Sequence, residues 1–218
     1  MIDVCHLDEA GFAMTLPTAY SWFPMGQRLR VPYHAPEGRR VNAIGAHFTH
    51  GPHAGHVAYQ TWAALPKSRA KKQRKSLPEL AAAHDLSVDD VGTIGSERVL
   101  AFIWRVAGRP HHAPVAWKRE RPLMIVLDNY AVHTSQAVIA AQPALVAADV
   151  HLVYLPAYCP ELSAMEPVWH DVKQHHLPTR SFERVAELKH AVDDALARKA
   201  QQLRQAYGKS TNLQRWAA

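Results

Sequence analysis

The sequence predicts an α/β domain built on a mixed central sheet, with an antiparallel meander first, parallel strands after it and helices on the flanks. Three observations carry this. Residues 123–127, Leu-Met-Ile-Val-Leu, form an unbroken apolar run closed by Asp128-Asn129, the pattern of a strand covered on both faces, which has no solvent side to alternate toward. A helical stretch and a second apolar run at 151–155 follow within about thirty residues, the length of a βαβ unit with parallel neighbouring strands. Short strand-like segments punctuated by Gly and Pro precede them and supply the meander. With 218 residues, 48% of them apolar, the chain suffices for a single domain spanning 1–218.

Taken in order, Ile2 and Val4 open a first strand that ends in Asp8-Glu9 and is broken by Gly11. Residues 20–26, with Tyr20, Trp22 and Phe23, suggest a short aromatic strand stopped by Pro24 and Gly26. Residues 41–48 form the next strand, and Gly51-Pro52 turns the chain into another at 56–62. From about 63 to 95 the pattern is an irregular, basic insertion. Within it Ser76-Leu77-Pro78-Glu79 marks a helix start, and 87–91 a further short helix. Residues 96–107 make a stronger helix, with Ser96 as its cap and Val99, Leu100, Ile103 and Val106 on one face. Gly108-Arg109-Pro110 ends it, and a Pro- and His-rich loop leads to the strand at 123. Residues 135–141 and 144–148 are helical in composition, with Pro143 expected to break or kink the path. After 151–155, Pro167 suits the first turn of a helix that starts at Glu166 and buries Val168, Trp169 and Val172. His170 and Lys173 lie on the glutamate's own face. A last helix runs from Phe182 with Val185, Leu188, Val192 and Leu196 as its core stripe.

Charge is concentrated rather than spread. Lys67, Arg69, Lys71, Lys72, Arg74 and Lys75 fall within nine residues and include no acid. Without them 19 of the 25 bases remain, against 19 acids, so the whole net charge of +6 resides in this run. Such a run is either a solvated loop or a contact for a phosphate backbone. No apolar stretch approaches the length of a membrane span and Met1-Ile2-Asp3 opens no signal peptide, so no membrane partner and a cytoplasmic location are expected. Cys5 and Cys159 form no C-x-x-C pair, which leaves packed thiols as the expectation.

Asp8, Asp128 and Glu166 fall at a strand end, a strand end and a helix start. Each alone is explained by capping or by the helix dipole. Together they sit where an open α/β sheet collects its chemistry, at the carboxyl ends of its strands. The blocks around them resemble those of the mariner-like insertion-sequence transposases. These blocks are Asp8-Glu9-Ala10-Gly11-Phe12, Tyr20-x-Trp22-x-Pro24-x-Gly26, Val126-Leu127-Asp128-Asn129-x-x-x-His133, and Leu155-Pro156-x-Tyr158-x-Pro160-Glu161-Leu162-x-x-x-Glu166-x-Val168-Trp169. The resemblance implies a ribonuclease-H-like fold and the DDE chemistry of DNA strand cleavage and strand transfer, with Asp8, Asp128 and Glu166 as catalytic residues and ligands of two Mg²⁺ ions, for which Mn²⁺ may substitute. Carboxylates are poor bases at neutral pH but good hard ligands, and a metal pair stabilises both oxygens of an in-line phosphoryl displacement. It further implies DNA partners (transposon ends and target), a homodimer in the active complex, and an N-terminal helix-turn-helix module supplied by another chain or reading frame, since the first strand begins at Met1.

Supporting roles attach to Glu9, an outer acid, and to Asn129 and His133, which are placed to orient nucleophile or phosphate. His170 and Lys173, with the basic run, are candidate DNA contacts. One departure stands out: the family's Asn-Pro before the glutamate is Ser163-Ala164 here, which is expected to loosen the loop that places Glu166. Two other readings remain open at this level. One is a domesticated or decayed relative that binds DNA without cutting it. The other is a zinc-binding hydrolase, prompted by fifteen histidines and by His47, His50, His53 and His56 at three-residue intervals, which a hairpin could gather.

Overall fold

A computed structural model describes residues 1–15, 24–27, 40–64, 76–157, 159–178 and 180–216. Five strands form one sheet in the order β3-β2-β1-β4-β5. These are β1 (Asp3–Ala13), β2 (Arg40–His50), β3 (Val57–Ala64), β4 (Leu123–Leu127) and β5 (Val150–Tyr154). The helices are α1 (Leu77–Ala82), α2 (Ser96–Val106), α3 (Gln136–Ala147), α4 (Glu166–Asp171) and α5 (Val185–Trp216). The first three strands pair antiparallel, whereas β4 pairs parallel with both β1 and β5. This is the mixed sheet that the apolar run and its βαβ sequel predict. Among the described residues no helix is long and apolar enough to cross a membrane.

Alternation along the strands divides the core between two faces. Cys5 and Leu7 of β1, Ile44 and Phe48 of β2 and Ile125 of β4 are buried with Phe102 and Ile103 of α2 and Leu145 of α3. On the opposite face Phe12, Val41 and Ala43 meet Trp169 and the α5 stripe of Val185, Leu188, Val192 and Leu196. Each such large side chain withdrawn from water contributes about 1.5–3 kcal/mol before entropy is charged against it. Gly45 of β2 lets α4 approach the sheet. A Cβ there would lie 2.6 Å from Met165 Cε and 2.8 Å from the Trp169 ring edge.

Several expected boundaries move. Strand β1 does not stop at Asp8-Glu9 but runs to Ala13, because β2 continues to pair with it through Gly11↔Asn42 and Ala13↔Arg40. Of the expected aromatic strand, residues 20–23 lie outside the described residues, and Pro24 to Gln27 form a turn with Gly26 at φ +85°. Residues 87–91 are a turn rather than a helix. The Ser87 hydroxyl binds the Asp90 carboxylate, and the backbone on both sides of Val91 hydrogen-bonds to Ala63, so the segment borders β3. The nearly buried Lys189 of α5 fixes that turn through Asp90 at 2.8 Å. Gly95, not Ser96, is the N-cap of α2. Pro143 neither breaks nor ends its helix: α3 is continuous through it, anchored by Val138 and Leu145 on the sheet, and forgoes one ladder hydrogen bond. The last helix begins at Val185, three residues after Phe182.

Candidate active site

The register of β1 against β4 pairs Asp3 with Leu123 through His6 with Val126. Carried two residues further, it brings Asp8 level with Asp128. There β4 has ended while β1 continues, so the sheet has a notch with one aspartate on each side. Glu166, the first residue of α4, closes it from the Asp8 face. All three acids line a cavity of about 410 Å³ together with Asn129, Tyr130, Pro156 and Ser163. They also border a second cavity, of about 420 Å³, whose far wall carries Arg40, Asn42 and Thr93. The three predicted residues are therefore brought to one place.

The structure adds donors that position two of them. Asp8 accepts the Glu9 N–H on Oδ1 at 2.8 Å and the Trp169 indole N–H on Oδ2 at 3.1 Å. Burial above all, and then the charges of Glu9, Glu166 and Asp128, push the Asp8 carboxyl up to about 7, although the Glu9 N–H pulls the other way. A carboxyl raised by burial with three further acids beside it is a site that a cation would relieve. Asp128 accepts the Tyr130 N–H at 3.0 Å and His133 Nδ1–H at 2.8 Å, both on Oδ1, and its side chain remains 55% exposed.

His133 is fully buried and joins the two sides of the notch. Its Nε2 lies 2.8 Å from Glu9 Oε1 while Nδ1 serves Asp128. Burial opposes charging this ring, yet the Glu9 hydrogen bond and the charges of Glu9 and Asp128 hold its pKa above the ordinary value. Tyr154 donates its hydroxyl to the His133 carbonyl at 3.0 Å, tying the loop to β5. Asn129 Nδ2 donates to the Leu155 carbonyl at 2.6 Å and so joins the ends of β4 and β5.

The remaining predicted residues stand as follows. His170 and Lys173 are exposed on the α4 side, and the Lys173 ammonium sits 5.5 Å over the Phe12 ring. Lys67, Arg69, Lys71, Lys72, Arg74 and Lys75 lie outside the described residues. Among the described residues no group of three or more His, Cys, Asp or Glu side chains is gathered closely enough to hold a metal ion: the hairpin histidines form no zinc site there, and Asp8, Asp128 and Glu166 border shared cavities without closing into a ligand cluster. His53 and His56 pack edge-on against Phe48, and His47 turns to the α5 face. The loop before Glu166 is closed by local turns, with Ser163 N–H donating to Pro160 and Glu166 N–H to Ser163. Trp169 is the residue that pattern reading assigns to packing alone. Its place in Glu166-x-x-Trp169, one helical turn after an acid, is the signal that points to more.

Comparison with known proteins bears on the fold and on the segment that carries Asp128 and Glu166. Residues 82–189 match the family model of the DDE superfamily endonucleases. No curated protein matches by sequence. Among solved structures, the Mos1 strand transfer complex superposes with a TM-score of 0.55 at 16% identity, covering 94% of this chain and 52% of that one. The Mos1 mariner paired end complex with Mn gives 0.53 at 15%, over 94% and 54%. The corresponding complex with Mg gives 0.52 at 14%, over 95% and 53%. The chain thus spans about half the length of the structures it matches, and shares their ribonuclease-H-like fold. On its matched segment and on this fold, the chain is similar to the DDE superfamily endonucleases.

Proposed function

We propose that this chain is the catalytic domain of a DNA transposase, which cleaves phosphodiester bonds at transposon ends and joins the freed end to target DNA. The observation that carries the reading is the convergence of Asp8, Asp128 and Glu166 on shared cavities at the sheet notch, with the Asp8 carboxyl raised first by burial and then by the neighbouring acids. The fit to a divalent cation rests on the donor set: the three charged groups are all carboxylates, which suit Mg²⁺ or Mn²⁺. Asp8, Asp128 and Glu166 would hold the metal, and we propose two ions. When bound, the metal supplies charge stabilisation at the attacking and leaving oxygens. The Mos1 paired end complexes, similar in fold, are complexes with Mn and with Mg, which supports the same choice.

The chain's own residues do the positioning. Trp169 and the Glu9 amide hold Asp8 from two directions. His133 keeps Asp128 Oδ1 turned toward the protein, leaving Oδ2 for the cavity. Exposed His170 and Lys173, with the basic run at 67–75, are proposed to follow the DNA backbone. A homodimeric active complex, an end-reading DNA-binding module and a cytoplasmic place of action complete the proposal.

The test is nicking of a transposon-end duplex in Mg²⁺ or Mn²⁺ by wild type and by Asp128→Asn. Loss of nicking in the variant with retained folding is expected. Equal nicking by both proteins overturns the triad. DNA binding without nicking by wild type favours the reading of a relative that no longer cuts.

A further inference from the structure

We propose that His6 and His47 are positioning residues that clamp both backbone groups of Ala164 and thereby fix where Glu166 enters the site; this rests on the metal-dependent reading above. The two histidines are direct partners in the β1–β2 register. They share the face that carries Asp8, two residues further along β1. The Ala164 N–H donates to His6 Nδ1 at 3.2 Å, and His47 Nδ1–H donates to the Ala164 carbonyl at 3.3 Å. One residue, two places before Glu166, is thus held at its donor and its acceptor by adjacent strands.

The pairing demands opposite tautomers. His6 must carry its proton on Nε2 and His47 on Nδ1, which two neutral rings provide. His47 then keeps Nε2 as an acceptor that is buried with no hydrogen-bond partner. A side chain selected for packing alone would carry no such orphan. Its ring is also confined, edge-on to Tyr207 of α5 at 6.2 Å, while the Tyr207 hydroxyl donates to the Thr49 carbonyl at 3.3 Å.

What the clamp holds matters for the site. Between the end of β5 at Tyr154 and Glu166 the described backbone has one three-residue turn, Pro160–Leu162, as its regular structure. Helix α4 continues into a π-helical turn at Val172–His176 and is held to the sheet by Val168, Trp169 and Val172, so what the clamp fixes is the chain entering its first residue, Glu166. Through this contact β1 would set Asp8 directly and Glu166 by way of Ala164, so that one strand aligns two of the three acids.

An asparagine amide places donor and acceptor where imidazole Nδ1 lies, whereas Leu and Phe place none. The variants are therefore His6→Leu and His47→Phe against His6→Asn and His47→Asn, read by hydrogen–deuterium exchange across 160–168 and by Mn²⁺ titration. The Leu and Phe variants should speed exchange in that segment about tenfold and weaken Mn²⁺ binding by a similar factor, the scale of one lost hydrogen bond. Amides of β2 and α5 should keep wild-type protection, and the Asn variants should recover most of both signals. Wild-type exchange and affinity in the Leu and Phe variants overturn the clamp. If those variants unfold, His6→Ala and His47→Ala are read in their place: faster exchange confined to 160–168 upholds the clamp, and wild-type exchange there overturns it. A wild type that fails to bind Mn²⁺ while the variants still loosen 160–168 refutes the metal reading and leaves the clamp standing.

Discussion

Asp8 concentrates the electrostatics of the site. Its folded pKa of about 7 lies above the ordinary carboxyl value, so the folded protein resists ionising it. The cost is absent near pH 4, grows as pH rises toward 7 and is fully present above that. Asp8→Asn should therefore stabilise the metal-free protein at pH 8 by about 1–2 kcal/mol, less than the full shift would give at about 1.4 kcal/mol per unit because the side chain is partly solvated. Urea unfolding at pH 8 and pH 4 checks this, with no gain expected at pH 4. Trp169→Phe keeps an aromatic ring against Phe12, which the indole now meets edge-on at 6.2 Å, but removes the N–H that favours the charged carboxylate. The pH at which Mn²⁺ binding half-develops should rise, and an unchanged midpoint would show the indole bond to be idle. The three acids were legible in the sequence because each stands in a recognisable block. The Trp169–Asp8 and His133–Glu9 bonds were not, since they join residues 161 and 124 positions apart and depend on which strand face each residue occupies.

Among the elements, α4 depends on the space left by Gly45. Gly45→Val should place its side chain against Met165 and the Trp169 ring, an overpacking that costs about 1–3 kcal/mol. Because the strain falls on the helix that begins with Glu166, metal binding should weaken more than the drop in melting temperature alone implies. The other end of β1 is held differently. Asp3 is fully buried and paired at 2.6 Å with Arg119, which also donates to the carbonyls of Ala107 and Arg121. Arg119→Met leaves a buried carboxylate without its partner and should cost about 3–5 kcal/mol in chemical denaturation, detaching the loop before β4. Strands β2 to β5 and the helices at 96, 166 and 185 followed from periodicity and punctuation. The errors have local causes. Pro143 was outweighed by the burial of Val138 and Leu145, and the 87–91 segment found backbone partners on Ala63 that no sequence window contains.

At the scale of the molecule, the fold creates its site by unequal strand lengths. The long β1 outruns the short β4, and α4 returns from β5 to cap the notch with an acid. The class of sheet was legible because buried parallel strands and antiparallel strands differ in pattern, whereas the convergence of Asp8, Asp128 and Glu166 depends on register. The most direct measurement is a Mn²⁺ binding isotherm on this chain, compared with Asp8→Asn, Asp128→Asn and Glu166→Gln at pH 8. Saturable binding by wild type, weakened at least about tenfold by each substitution, is the predicted result, since each removes one carboxylate ligand. Three variants that keep the fold and bind Mn²⁺ as wild type does would contradict it.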